Sequence, residues 1–374
     1  MGRYDFREVD LTMQKNTTRK EGISFTIPEE LLPALGTVAA GDLSPISLLR
    51  GVGNQTGGGK DKLRTLGFLN GDGTVRQEYA HALGVLAQGT TYTRIIFFTG
   101  SSLQEFYTVF AADQSMPVSL THRGKSIVID DPAITSDIFS LIDQNTGHSG
   151  LLGVPFSARF SREEAVTLCV LLDLERTGQL MALAQETAPE NMGFELDQIT
   201  ARAMKKRETF QSLAFVYRSL LGIDAGAASG LVKEGLSRLV VKGTILKEGT
   251  KYCPAETLWL LSGRFPVIDS ILTIEAMTIG DDKKVTAGRF ISLQAGVNDL
   301  LYFESDGNEV AIRSITGLTL LELVSRFLSK PPLAALETGA DRGVSGTSIS
   351  SCPQCGSRIK PGQKFCNYCG SKIV

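Results

Sequence analysis

The sequence predicts an α+β fold that is internally duplicated: two pseudo-two-fold antiparallel sheet units carrying helices, followed by a small zinc ribbon. Three observations predict it. Residues 63–89 (LRTLGFLNGDGTVRQEYAHALGVLAQG) align without a gap on residues 236–263, setting Leu63, Leu66 and Tyr79 opposite Leu236, Leu239 and Tyr252. The pattern Phe-[Ser/Thr]-x-x-Glu occurs twice, at Phe25, Thr26 and Glu29 and at Phe160, Ser161 and Glu164. After the repeated stretch each half changes from a helical to a two-residue period. The expected organisation is a lead-in at 1–22, a first α+β repeat at 23–150, a second at 151–330, a linker at 331–350 and the ribbon at 351–374.

The elements follow in order. Residues 1–22 carry little apolar pattern and read as an extended lead-in. Thr26 and Glu29 form a capping-box pattern with Pro28 in the first turn, so a helix is expected there; Ser161 and Glu164 repeat the pattern. The glycine-rich stretch 51–62 lacks the phosphate-loop register, because Asn54 and Asp61 stand where Gly and Ser or Thr are required, and it reads as a connector. Phe210, Leu213, Ala214, Tyr217 and Leu221 recur at helical spacing and end at Gly222. Val232, Leu236, Leu239 and Val240 mark the next helix, then come a short turn and an apolar helical segment at 255–261; in the first half the corresponding helix is 77–87.

Strands are expected at 93–99, 105–111, 118–122 and 126–130, and again at 270–279, 285–294, 300–304 and 309–313, with turns at Gly100, Arg123-Gly124, Gly280-Asp281 and Asp306-Gly307. One fused sheet and two adjacent sheets fit this pattern equally. Each unit closes with a helix: 133–144 with Ile134, Ile138 and Leu141 inward, and 318–328 with Leu321, Val324 and Leu328 inward.

Composition excludes some function classes. Lys plus Arg is 38 against 40 Asp plus Glu, so no global field attracts nucleic acid or an anionic membrane. The apolar run 166–172 falls short of the ~18 residues of a membrane span, and no membrane insertion is expected. The first twenty residues show no signal-peptide core, which predicts a cytoplasmic protein. Four of the six cysteines lie in two C-x-x-C pairs, while Cys169 and Cys253 stand far apart, a usage that fits a reducing compartment.

The tail holds the most specific motif. Cys352, Cys355, Cys366 and Cys369 form C-x2-C-x10-C-x2-C, each pair followed by glycine, the donor set of a structural tetrahedral Zn2+ site. Four thiolates leave no open position for water, so this zinc is expected to be structural and not catalytic. Arg358, Lys360, Lys364 and Lys372 are basic, but the zinc–thiolate cluster and the terminal carboxylate offset them. Phe365 and Tyr368 suit a miniature core around the metal, and a protein-docking or spacer role outweighs nucleic-acid binding.

Elsewhere nothing nominates an enzyme. His81, His122 and His148 lie in no metal spacing, Asp130 and Asp131 suit a cap on the closing helix, Trp259 suits core, and Cys169 suits a buried, inert thiol. One nucleic-acid reading has structural content: helices followed by a strand-turn-strand at 240–252 resemble a winged helix, with 229–241 as recognition helix and Lys233, Arg238 and Lys242 near DNA, Arg202, Lys205, Lys206 and Arg207 adding phosphate contacts. The first half argues against it, offering Asp72 and Glu78 instead.

The duplicated order at about 25–330 resembles the EspG-type chaperones of type VII secretion. The residues that carry the resemblance are Phe25-Thr26 with Glu29, Leu66-Gly67-Phe68-Leu69 with Gly73, the run Ala82-Leu83-Gly84-Val85-Leu86-Ala87, and a meander around 120–129. The resemblance implies a non-catalytic cytosolic protein holding helical-hairpin secretion substrates. The usual pattern of that family has no fused zinc ribbon. The expected function is a protein-binding adaptor or chaperone with a docking ribbon, and the alternative is a winged-helix-like DNA-binding regulator.

Overall fold

A computed structural model describes residues 22–329 apart from 40, 51–57, 101, 113–115, 192, 206–208, 281, 297 and 306–308. The expected linker and ribbon, and residues 1–21 of the lead-in, lie outside the described residues.

The first half runs β1 (Ile23–Pro28), a 3-10 turn (Glu29–Leu31), α1 (Leu32–Val38), α2 (Gly59–Thr65), α3 (Gln77–Gln88), β2 (Thr91–Thr99), β3 (Ser102–Phe110), β4 (Val118–Arg123), β5 (Ser126–Asp131) and α4 (Ser136–Thr146). The second runs β6 (Ser157–Ser161), α5 (Arg162–Ala184), β7 (Phe194–Glu195), α6 (Leu196–Ala203), α7 (Leu213–Leu221), α8 (Ala225–Val241), β8 (Ile245–Glu248), β9 (Lys251–Pro254), α9 (Glu256–Arg264), β10 (Ser270–Ile279), β11 (Val285–Gln294), β12 (Leu300–Ser305), β13 (Glu309–Ile315) and α10 (Gly317–Ser329).

One ten-stranded antiparallel sheet unites both halves, in the order β1-β5-β4-β3-β2-β10-β11-β12-β13-β6. Read outward from the β2–β10 seam, each side is the same succession, a four-strand meander ended by the strand that opens that half. The seam is centred on the Ile95–Ile274 pair, with Thr91 opposite Thr278 and Thr99 opposite Ser270 at its ends. Alternation along the strands sends side chains to two covered faces. On one face Ile95, Phe97, Phe106, Ile274, Phe290 and Tyr302 pack under α4 and α10. On the other, Val109, Val118, Leu120, Ile127 and Ile129 pack under α1 to α3, and Ile271, Ile291, Leu301, Phe303 and Val310 pack under α5, α8 and α9.

The strand readings agree with the structure to within a few residues, and the helices at α3, α7, α8, α9 and α10 fall where the periodicity set them. Ser161 and Glu164 make the expected reciprocal capping box at α5. Three expectations are corrected. Thr26 caps no helix: it lies in β1, opposite Val128 of β5, because Phe25 and Ile27 alternate onto the sheet before Pro28 ends the strand. Gly59 to Lys62 belong to α2 and not to a connector, since Gly58 takes φ 96° and opens that helix. Ile134 precedes α4 and is exposed, while Ile142 fills the buried position.

The ungapped repeat is out of register. Leu63 O accepts from Phe68 N just as Leu239 O accepts from Thr244 N, so the bond at Leu63 is matched at Leu239 and not at Leu236, one helical turn earlier. Leu66 is accordingly exposed, and Tyr79 sits in α3 while Tyr252 sits in β9. The second half also has a longer hairpin: Arg76 N bonds Phe68 O, and Ala255 N bonds Thr244 O.

Candidate functional site

The chemistry most firmly written in the sequence, the four-thiolate set Cys352, Cys355, Cys366 and Cys369, lies outside the described residues, as do Arg358, Lys360, Lys364, Phe365, Tyr368 and Lys372. The donor set itself suits zinc: two soft thiolate pairs in two C-x-x-C knuckles supply four ligands. Among the described residues no group of three or more His, Cys, Asp or Glu side chains is placed to hold a metal. Cys169 is buried in α5, and burial pushes its thiol well above the usual range, the inert state expected of it.

The helical module of the second half is organised on α5. Its Asp173 carboxylate is buried and accepts from Ser212 Oγ at 2.7 Å, Leu213 N at 2.8 Å and Ala214 N at 3.1 Å, capping α7, while Arg176 Nη1 pairs with it at 2.9 Å. Arg202 of α6 approaches the same carboxylate at 3.6 Å. A single buried acid thus ties three helices together. Two residues on, Glu175 is 2 % exposed and its Oε1 has no hydrogen-bond partner. Burial pushes its carboxyl up to about 7.

Helices α6 and α8 with the small sheet β7-β9-β8 make a winged-helix-like order, with α7 inserted between the helices. Its cations are largely committed to neighbours. Lys242 Nζ pairs with Glu164 at 2.6 Å, donates to Arg159 O at 3.3 Å and lies 5.5 Å from the Phe160 ring centre. Arg238 binds Glu234 and reaches Glu163 at 3.9 Å, whereas Lys233 is exposed. Lys205 O accepts from Arg218, and Lys206 and Arg207 lie outside the described residues. In the first half Glu78 pairs with Arg76 at 2.9 Å, and Asp72 accepts from Thr74, which holds its carboxyl below the usual range.

The discounted residues find other partners. His81 Nδ1 lies 2.7 Å from Asp131 and His148 Nε2 lies 3.1 Å from Asp143, while the His122 ring stands 6.0 Å from that of Tyr107. Asp130 accepts from Ser24 Oγ at 2.7 Å, so the two aspartates hold β1 and α3 to the sheet and do not cap α4. Trp259 is half-buried and its ring N–H has no partner, a looser setting than the core position expected.

Sequence reasoning missed two features. At the seam, Arg94 Nε donates to Glu105 at 2.6 Å, Arg94 reaches Glu275 at 3.6 Å, and Arg289 binds Glu275, a charged chain across four strands. Tyr107 donates to Glu105 at 2.5 Å; burial first, and that bond second, push its phenol up. The signal was one charged residue in the middle of each of four otherwise apolar strands. At the C-terminal end of α5, Leu180, Met181 and Leu183 are 39 %, 57 % and 61 % exposed, as is Leu260 of the adjoining α9 at 45 %. There the sequence is apolar all round the helix, and periodicity marks no single inward face.

Residues 351–373 match the zinc-ribbon domain family. No curated protein matches this chain. Among the described residues no helix is long and apolar enough to cross a membrane.

Proposed function

We propose that this chain is a non-catalytic cytoplasmic protein-binding adaptor or chaperone, with a duplicated α+β body of the EspG type and a structural Zn2+ held by Cys352, Cys355, Cys366 and Cys369. The partner class is a helical secretion substrate, and the ribbon is the docking element. The observation that carries the reading is the exposed apolar group Leu180, Met181 and Leu183 beside Leu260, since clustered exposed apolar side chains mark protein contact sites. The duplication is supported by the outward-repeating strand order, the symmetric seam register and the matched hydrogen bonds after Leu63 and Leu239.

The test is affinity capture from native lysate with the intact chain, with Met181→Glu plus Leu183→Glu, and with the chain ended after Lys330. Small helical partners should persist at raised salt, be lost from the double variant and identify the ribbon's role through the truncated chain. Undiminished capture by the double variant would sink the α5 surface. A second reading, a winged-helix-like DNA-binding regulator, is favoured by the β7-β9-β8 sheet, whose strands flank α6 and α8 in the chain. It requires recovery of DNA that falls steeply with salt, and the pairing of Arg238 and Lys242 with acids weighs against it.

A further inference from the structure

The two ends of the ten-stranded sheet are finished differently. At the β6 edge, Lys242 reaches over and donates to the Arg159 carbonyl, and β6 itself carries the Arg159 charge; a cation set on an edge in this way opposes pairing with another strand. At the other end, β1 reads Ile-Ser-Phe-Thr-Ile-Pro with no charge, and among the described residues it pairs with β5 alone. Such an edge is a template for a further strand.

Beside this edge lies a cleft of ≈ 330 Å³ between the outer strands and α4. Ser24 and Thr26 project on its side of β1, and both are exposed. Its lining mixes apolar Val128, Ile134 and Ile138 with polar Gln104, Glu105 and Thr121, and its ends have opposite charge. Arg123 closes one end and Asp137 with Asp130 the other, Arg123 and Asp130 lying at opposite ends of the β4–β5 pair. A strand added antiparallel to β1, as all pairs in this sheet run, begins at the Arg123 end and finishes at the Asp130 end.

We propose that the β1 edge and its cleft take an extended peptide segment of a partner protein, paired antiparallel to β1, with acidic residues at its N-terminal end, basic residues at its C-terminal end and alternate apolar side chains in the cleft. This surface is separate from the exposed end of α5, so each can fail without the other.

The probe is a synthetic peptide of about ten residues alternating valine and threonine, with two glutamates first and two lysines last, read by fluorescence anisotropy and by amide exchange of residues 23–27. Binding should slow exchange at β1, and the same peptide with its charges interchanged should bind about fivefold to tenfold more weakly, the scale of two rim ion pairs. Thr26→Lys should weaken binding at least about tenfold, and Arg123→Glu should reverse the charge preference; both sites are exposed, and circular dichroism checks folding. Met181→Glu should leave peptide binding unchanged. Absence of binding, indifference to charge order, or unchanged affinity in Thr26→Lys would overturn the proposal. So would protection, without peptide, of the β1 amides that face away from β5, which would place the chain's own preceding segment, or a second copy if sedimentation shows a dimer, on the edge.

Discussion

Replacing Glu175 by glutamine tests whether the α5 bundle holds an acid in its neutral form. Burial raises this carboxyl from the ordinary 4.5 to about 7, and its Oε1 has no partner. A raised folded-state pKa on an acid means that the unfolded chain releases its proton first as pH climbs. The resulting penalty on folding is absent below pH 4.5, grows between 4.5 and about 7, and is constant above that. At about 1.4 kcal/mol per pH unit, the full penalty is about 3 kcal/mol, of which roughly a quarter is already present at pH 5. Glutamine keeps the shape and removes the titration. Urea unfolding of both proteins at pH 5 and pH 8 should therefore show the variant gaining about 2–3 kcal/mol on the parent between the two conditions. Any fixed cost of the buried amide cancels in that difference. A pH-independent difference, or one that shrinks as pH rises, would refute the neutral buried carboxyl.

Three other outcomes follow from the same packing. Gly235→Ala should destabilise by about 1–3 kcal/mol in urea unfolding, because a Cβ there would stand 2.5 Å from Glu163 O and overlap Thr167 Oγ1 where α8 crosses α5. Asp173→Ala should cost about 3–5 kcal/mol and release the α7 amides to fast hydrogen exchange, since it leaves the buried Arg176 without the carboxylate it pairs with and the N-terminal amides of α7 without their acceptor. Cys352→Ser with Cys366→Ser should abolish bound zinc by elemental analysis while leaving the thermal unfolding of the α+β body unchanged, the expected result if the ribbon folds only around its own metal.

The sheet was legible because its strands alternate: Ile95 and Phe97 face one way, Tyr92 and Arg94 the other, and glycines or polar pairs punctuate the turns. The edges were not legible. Thr26 and Glu29 have the spacing of a capping box, but residues 23–28 pair with β5, and tertiary pairing overrides the local signal. Register failed for a related reason. Leucines recur about once per turn, so a repeat aligned on Leu236 in place of Leu239 scores well while sitting one turn early; only the bonds closing the two helices resolve it. The candidate surfaces depended on what is left uncovered. Nothing about Leu183 or Ile134 as residue types distinguishes them from the buried leucines of α5 and the buried isoleucines of α4. The zinc-ribbon segment was legible outright, since its pattern is carried by spacing within a short stretch, and residues 351–373 match that domain family.

The seam has a consequence in time. On a ribosome, β2 is finished at Thr99 but its partner begins only at Ser270. At roughly 5–20 residues per second, the intervening chain takes on the order of 10–30 seconds to emerge. Throughout that interval the N-terminal half presents the edge of β2, nine residues long and rich in isoleucine and phenylalanine. Because the seam register is symmetric about Ile95 and Ile274, the strand best suited to occupy that edge prematurely is β2 of a neighbouring nascent chain. Crowded polysomes are therefore the setting in which this architecture is most exposed to misassembly, and the arrival of β10 is the event that ends the exposure.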